Sequence, residues 1–183
     1  MLIGVITYDI NHLKTEQILF GFLSQNYEVK IYLLPFVERP QRAIAFNHRP
    51  NFLLGAHPRE IAKKYDLEIQ DISNDKYLVS EADYLIVGGA GILSENIINK
   101  NKVINCHPGI IPISRGLDSF KWAILENKRL GVTLHMIDKE VDSGEVIKVK
   151  ETDVFKSDSI ESLARRHYEN EINLLLKFKD YIK

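Results

Sequence analysis

The chain is short of several things, and each shortage closes off a class of function. It has a single cysteine in 183 residues, which excludes an intrachain disulfide and any metal site built from several thiolates. It has no apolar run of the roughly 20 residues that a membrane-spanning helix takes. It has no surplus of positive charge: 24 Lys and Arg stand against 25 Asp and Glu, a net charge of -1. A broad nucleic-acid footprint needs a basic excess, so none is expected. No repeat, low-complexity tract or linker is visible. Met1-Leu2-Ile3-Gly4-Val5-Ile6 lacks the basic region and small-residue cleavage site of a signal peptide. It reads as a first strand, and a cytoplasmic setting is the expectation. The chain also lacks a Walker lysine loop, a Gly-x-Ser-x-Gly elbow and a His-Glu-x-x-His helix. Gly88-Gly89-Ala90-Gly91-Ile92-Leu93 is not a dinucleotide fingerprint, because Ser94 falls where the third glycine belongs.

What is present is an ordinary globular composition, 45% apolar and 27% charged, enough for one domain over residues 1–183 with a real core. Apolar patterning predicts strands at 2–8, 27–34, 67–69, 83–87, 103–106, 131–137 and 145–149. It predicts helices at 13–25, 58–65, 94–98 and 117–127, and a long one at about 158–182. Strands alternating with helices predict a Rossmann-like α/β domain, with a mostly parallel sheet and helices on both faces. From Pro35 to Pro58 the pattern breaks into a proline-punctuated basic loop with a short helix at 40–46. Asp158 and Glu161 resemble a capping box. The last helix carries an apolar stripe of Ile160, Leu163, Ala164, Ile172, Leu175, Leu176 and Ile182. Leu174, Phe178 and Tyr181 widen it, so Leu174 is expected near the rim, where the wider edge would help form a homodimer.

The densest chemistry lies in Asn105-Cys106-His107-Pro108-Gly109. Residues two apart in a strand face the same way, and Pro-Gly cannot continue one. Asn105 and His107 should therefore project together from a carboxyl strand end, the edge where open α/β sheets bind ligands. Cys106 should point to the other face, into the core. Val141-Asp142-Ser143-Gly144 brings a loop carboxylate later. An amide, an imidazole and a carboxylate suit acyl transfer to nitrogen, because its tetrahedral intermediate carries an oxyanion that fixed donors stabilise. A nearby carboxylate favours the charged imidazole and can take the proton that an amine loses. The plainer alternative is that Asn-x-His and Asp-x-Gly only satisfy turns. His135 either lines the site or is a strand histidine bonded to backbone. The small residues at 88–91 either let a flat ligand approach or serve a turn at positive φ.

Asn-x-His-Pro-x-x-x-Pro from Asn105, then Arg115-Gly116, Trp122-Ala123-Ile124, Gly131-Val132-Thr133-Leu134-His135 and Val141-Asp142-Ser143-Gly144 together resemble the folate-dependent formyltransferases. The resemblance covers roughly residues 83–150. It implies an enzyme that moves a formyl group from 10-formyltetrahydrofolate, as cosubstrate, to a primary amine without a metal. Asn105, His107 and Asp142 would be its catalytic residues. It implies a pterin site at Gly89, Gly91, Ile92, Leu93, His135, Ile137, Asp138 and Val141. For the second substrate the basic residues are candidates: Arg39, Arg42, His48, Arg49 and Arg115. Glycinamide ribonucleotide formyltransferases carry a Gly-Ser-rich phosphate loop after the first strand. Here that place reads Thr7-Tyr8-Asp9-Ile10-Asn11-His12, without glycine. The C-terminal β domain of the methionyl-tRNA enzymes is not seen, nor is the regulatory domain of the formyltetrahydrofolate hydrolases. A nucleotide-linked amino sugar is therefore the expected small-molecule substrate. Glycinamide ribonucleotide is the alternative, and a non-catalytic folate- or nucleotide-binding module is the alternative of another class.

Overall fold

The structure is a computed structural model that describes residues 1–37, 46, 51–72, 78 and 80–182. Seven strands form one sheet: β1 (Leu2–Tyr8), β2 (Glu28–Leu34), β3 (Glu68–Asp71), β4 (Tyr84–Val87), β5 (Val103–His107), β6 (Gly131–Met136) and β7 (Val146–Glu151). Their order is β3-β2-β1-β4-β5-β6-β7. The pairs β3-β2, β2-β1, β1-β4 and β4-β5 run parallel, and β6-β7 runs antiparallel. Among the described residues five α-helices accompany them: α1 (Leu13–Ser24), α2 (Pro58–Tyr65), α3 (Glu95–Lys100), α4 (Ser119–Leu125) and α5 (Ile160–Leu176).

The chain divides into two compact units, Met1–Glu38 with Asn51–Ile104, and Arg39–Pro50 with Asn105–Lys183. The first unit is built on continuous apolar strands. Ile3, Val5 and Ile6 of β1 and Ile31, Tyr32 and Leu33 of β2 are buried, as are Ile18, Leu19 and Phe22 of α1. Such runs suit strands covered on both faces. In the second unit Phe120 and Ala123 of α4 pack with Leu130 and with Leu163 and Ala164 of α5, joined by Phe46 and Ile124.

Several expectations need correction. The last helix starts at Ile160, not at Asp158. Ser159 is its N-cap, in a reciprocal box with Ser162. The Asp158 carboxylate instead holds the Arg166 guanidinium at 2.7 and 2.8 Å, which keeps its carboxyl well below the usual range. The helix stops at Leu176, and a short 3-10 turn follows at Phe178–Asp180. Leu163, Ala164, Ile172 and Leu175 of the expected stripe are buried, but its edges differ. Leu174 is 3% exposed rather than at the rim, Leu176 is half-buried, and Ile160 is 37% exposed. Phe178 is also fully buried. The expected helix at 40–46 lies outside the described residues except for Phe46. Finally, no glycine among residues 88–91 has a positive φ, so a turn of that kind does not explain them. A Cβ on Gly88 would stand 2.9 Å from Thr15 Oγ1, and one on Gly89 would stand 3.0 Å from His12 Cε1. Close approach by the chain's own side chains accounts for Gly88 and Gly89, whereas Gly91 has room for a Cβ, 3.8 Å from Tyr8 Oη.

Candidate active site

β5 ends at His107 because Pro108 cannot donate to a ladder. Asn105 and His107 emerge on one side, and Cys106 between them is buried. β6 ends at Met136, and a Cβ on Gly144 would run into the Met136 carbonyl. Only glycine lets the returning chain pass there. Two residues earlier Asp142 takes a left-handed backbone at φ 50, a conformation that aspartate tolerates better than most residues. That turn aims its carboxylate at the histidines.

His107 is 4% exposed. Its Nε2 lies 3.0 Å from the Ser114 carbonyl, and its Nδ1 lies 3.2 Å from Asp142 Oδ2. The Ser114 carbonyl only accepts, so Nε2 carries a proton. The Asp142 carboxylate facing Nδ1 favours the charged ring. Asp142 Oδ2 also accepts the Gly116 N–H at 2.9 Å. Gly116 has φ 79, and this turn presents its amide to the carboxylate.

His135 is assigned the opposite state. Burial pushes its imidazole down from the ordinary value, against the bond to the Met136 carbonyl and the charge of Asp142, while His107 adds to the lowering. Its Nδ1–H donates to Met136 O at 2.9 Å, leaving Nε2 bare. The Asn105 Nδ2–H donates to that nitrogen at 3.3 Å. The 3.9 Å approach of Asp142 Oδ1 to His135 Nε2 is therefore not an ion pair, since a neutral ring with a bare Nε2 has no proton to offer. His135 thus bonds backbone on one side and Asn105 on the other. Its acceptor nitrogen orients the Asn105 amide, whose second N–H is left to point elsewhere.

The loop after β5 is tied from below. Thr133 Oγ1 donates to the Gly109 carbonyl at 2.7 Å and accepts from Ile111 N–H at 3.1 Å. Ser119 Oγ donates to the Pro108 carbonyl at 2.6 Å, and Ser114 Oγ donates to the Ser119 carbonyl at 3.2 Å. The fold is tight enough that a Cβ on Gly109 would stand 2.6 Å from the Ser114 carbonyl and 2.8 Å from His107 Nε2.

Of the other expected residues, Arg115 is exposed beside Gly116. Arg39, Arg42, His48 and Arg49 lie outside the described residues. Gly89, Gly91, Ile92 and Leu93 belong to the first unit, and His135, Ile137, Asp138 and Val141 to the second. Ile92 is 85% exposed, whereas Leu93 is buried and can offer a ligand its main chain only. Among the described residues no cluster of three or more His, Cys, Asp or Glu could hold a metal, and no helix is long and apolar enough to cross a membrane. Ser114 was not singled out from the sequence, and Gly116 and Thr133 entered only within the motifs of the resemblance, without a role. Two of the three act through main-chain atoms, which no side-chain motif reveals.

The formyl transferase family model matches residues 39–178. The chain belongs to that family. A methionyl-tRNA formyltransferase of Sulfurihydrogenibium sp. is 37% identical over 102 residues, 54% of this chain and 33% of that protein. A dTDP-4-amino-4,6-dideoxyglucose formyltransferase of Mycobacterium tuberculosis is 32% identical over 87 residues, 48% of this chain and 37% of that one. A solved phosphoribosylglycinamide formyltransferase of Bacillus halodurans superposes with a TM-score of 0.67 at 18% identity, over 100% of both chains. The chain spans between a third and about half of the length of the curated relatives that it matches.

Proposed function

We propose that this chain transfers a formyl group from 10-formyltetrahydrofolate to the primary amine of a nucleotide-linked amino sugar. The observation that carries the reading is the facing of His107 and Asp142 at 3.2 Å, with Asn105 joined to the same group through His135. The amine attacks the formyl carbon and a C–N bond forms. The carbonyl oxygen takes up negative charge, which the remaining Asn105 N–H and the His107 cation stabilise. Asp142 Oδ1 accepts the proton lost by the amine, directly or through one water. As the bond to N10 breaks, that nitrogen takes up the proton that Asp142 received from the amine, directly or through one water, and His107 keeps its charge throughout. No covalent enzyme intermediate is needed. The donor set suits the formyl donor, since it offers hydrogen bonds and charge where the oxygen develops.

The loop after β1 gives less support to glycinamide ribonucleotide. In place of glycines, whose bare amides can cradle a phosphate, it carries Asp9, whose carboxylate is held by Arg59 at 2.8 Å. The net charge of -1 gives no support to a tRNA substrate. The test is a panel of dTDP-, UDP- and GDP-linked amino sugars with glycinamide ribonucleotide, each mixed with protein and 10-formyltetrahydrofolate. Product mass is read by mass spectrometry. Formylation of a sugar nucleotide is expected, and formylation of glycinamide ribonucleotide alone would overturn the sugar assignment.

A further inference from the structure

A second histidine lies behind the loop that carries the first. His167, on α5, is 3% exposed, and its ring lies 4.6 Å from that of Phe120, beside Leu163 and Ala164. Its Nε2 lies 3.3 Å from the Pro108 carbonyl, which only accepts, so Nε2 donates. Its Nδ1 lies 2.9 Å from Thr152 Oγ1, which in turn accepts from Asn170 Nδ2 at 3.2 Å. In the neutral ring the polarity runs one way: the Asn170 amide to the Thr152 hydroxyl, that hydroxyl to His167 Nδ1, and His167 Nε2–H to Pro108. Thr152 and Asn170 are buried as well. Three buried polar side chains cost more than apolar packing unless each is bonded, and a helix can be seated by leucines alone. Here the chain of donors ends on the backbone carbonyl next to His107. The same carbonyl takes the Ser119 hydroxyl at 2.6 Å. Ser119 also holds Ser114 through its own carbonyl, and the Ser114 carbonyl receives His107 Nε2–H.

We propose that His167 is a positioning residue for His107, an assignment that rests on the formyl-transfer reading of that imidazole. With Thr152 and Asn170 setting its tautomer, His167 pins the Pro108 carbonyl and so fixes the height of the His107 ring between Ser114 and Asp142. It touches no reacting atom. His167→Phe keeps an aromatic ring beside Phe120 and loses the donor. His167→Gln keeps a donor that can reach Pro108. Thr152→Val keeps the packing and loses the hydroxyl that fixes the tautomer.

The experiment compares these three variants with the full wild-type chain by thermal melting, by NMR of the His107 ring nitrogens, by affinity for a stable 10-formylfolate analogue, and by turnover on the amine found in the panel. His167→Phe should move the His107 ring signals and their titration midpoint. It should lower kcat by about tenfold or more, where a misplacement of about 1 Å can cost on the order of 10². KM and analogue affinity should stay near wild type. Gln should restore most of the kcat, and Thr152→Val should move the same signals by less. If His167→Phe does not fold, Gln and Val carry the test through the His107 signals. Unmoved His107 signals in folded variants would overturn the proposal, as would equal impairment by Phe and Gln. If the wild type neither binds the analogue nor turns over any amine, the formyl-transfer reading falls, while the NMR arm still decides whether His167 positions His107.

Discussion

Two loops leave the carboxyl ends of parallel strands, and they hold their charges in opposite ways. After β1, Asp9 sits on the surface in a cluster with Arg59, which also grips Asp71, and with His57 at 3.7 Å. Side chain meets side chain there, in water, where salt screens the attraction and the net worth is small. After β5, charged and polar side chains meet main-chain groups in a buried loop: His107 with Ser114, Asp142 with Gly116, Thr133 with Gly109 and Ile111, Ser119 with Pro108. Backbone partners cannot swing away as long side chains do, and buried polar groups are costly to leave unpaired. The same position in the fold thus gives a screened cluster in one loop and a fixed constellation in the other.

The sharpest break of that contrast is at the imidazole. His107→Ala should lose on the order of 10²–10³ in turnover, the scale of an oxyanion donor. It should also lower stability by about 1–3 kcal/mol, because the Ser114 carbonyl loses its donor. Steady-state kinetics and urea melts read both effects, and wild-type turnover would remove His107 from the chemistry. Asp142→Asn keeps an oxygen for the Gly116 amide and removes the charge. A loss of roughly 10²-fold is expected, in keeping with acid–base contributions, with the fold intact by circular dichroism. Gly109→Ala should perturb the whole loop from a site that does no chemistry. Overpacking costs about 1–3 kcal/mol, and the His107 signals should shift; a silent substitution would mean that the loop is not tight.

The acid side offers a gentler test. The His135 pKa is depressed by burial, so the unfolded chain binds the proton more readily than the folded one. Stability is therefore full above the ordinary imidazole value of about 6.5 and declines as pH falls below it. Protonation also turns Nε2 into a donor and releases the Asn105 amide. His135→Gln should flatten that decline in urea melts between pH values on either side of it. The smallest effect belongs to the first loop. Arg59→Ala should cost only about 0.2–1 kcal/mol, shrinking in high salt, with turnover little changed. The Asp9 carboxyl is held low chiefly by its bond to Arg59. This contribution is present above the ordinary carboxyl range and fades as pH falls through it.

Strand period and the Pro-Gly stop made Asn105 and His107 legible as a pair, because both rules are local. The sheet was legible from its apolar runs for the same reason. Asp142 was not reachable by local rules; only the resemblance placed it with His107. Ser114, Gly116 and His167 were hidden because they meet the loop through main-chain atoms on one side or both. The helix start was misjudged by two residues: Asp158 and Ser159 are both good caps, and Arg166, two turns on, drew Asp158 away. Leu174 was misplaced because three successive leucines leave the buried face open until the buried Phe178 sets it.

The claim that most else rests on is that His107 stands doubly protonated between the Ser114 carbonyl and the Asp142 carboxylate. Nitrogen-detected NMR of the His107 ring across a pH series tests it directly. Both ring nitrogens should be protonated at neutral pH, and Asp142→Asn should bring the loss of the proton to lower pH. A neutral ring with one bare nitrogen at neutral pH, unaffected by Asp142→Asn, would contradict the account.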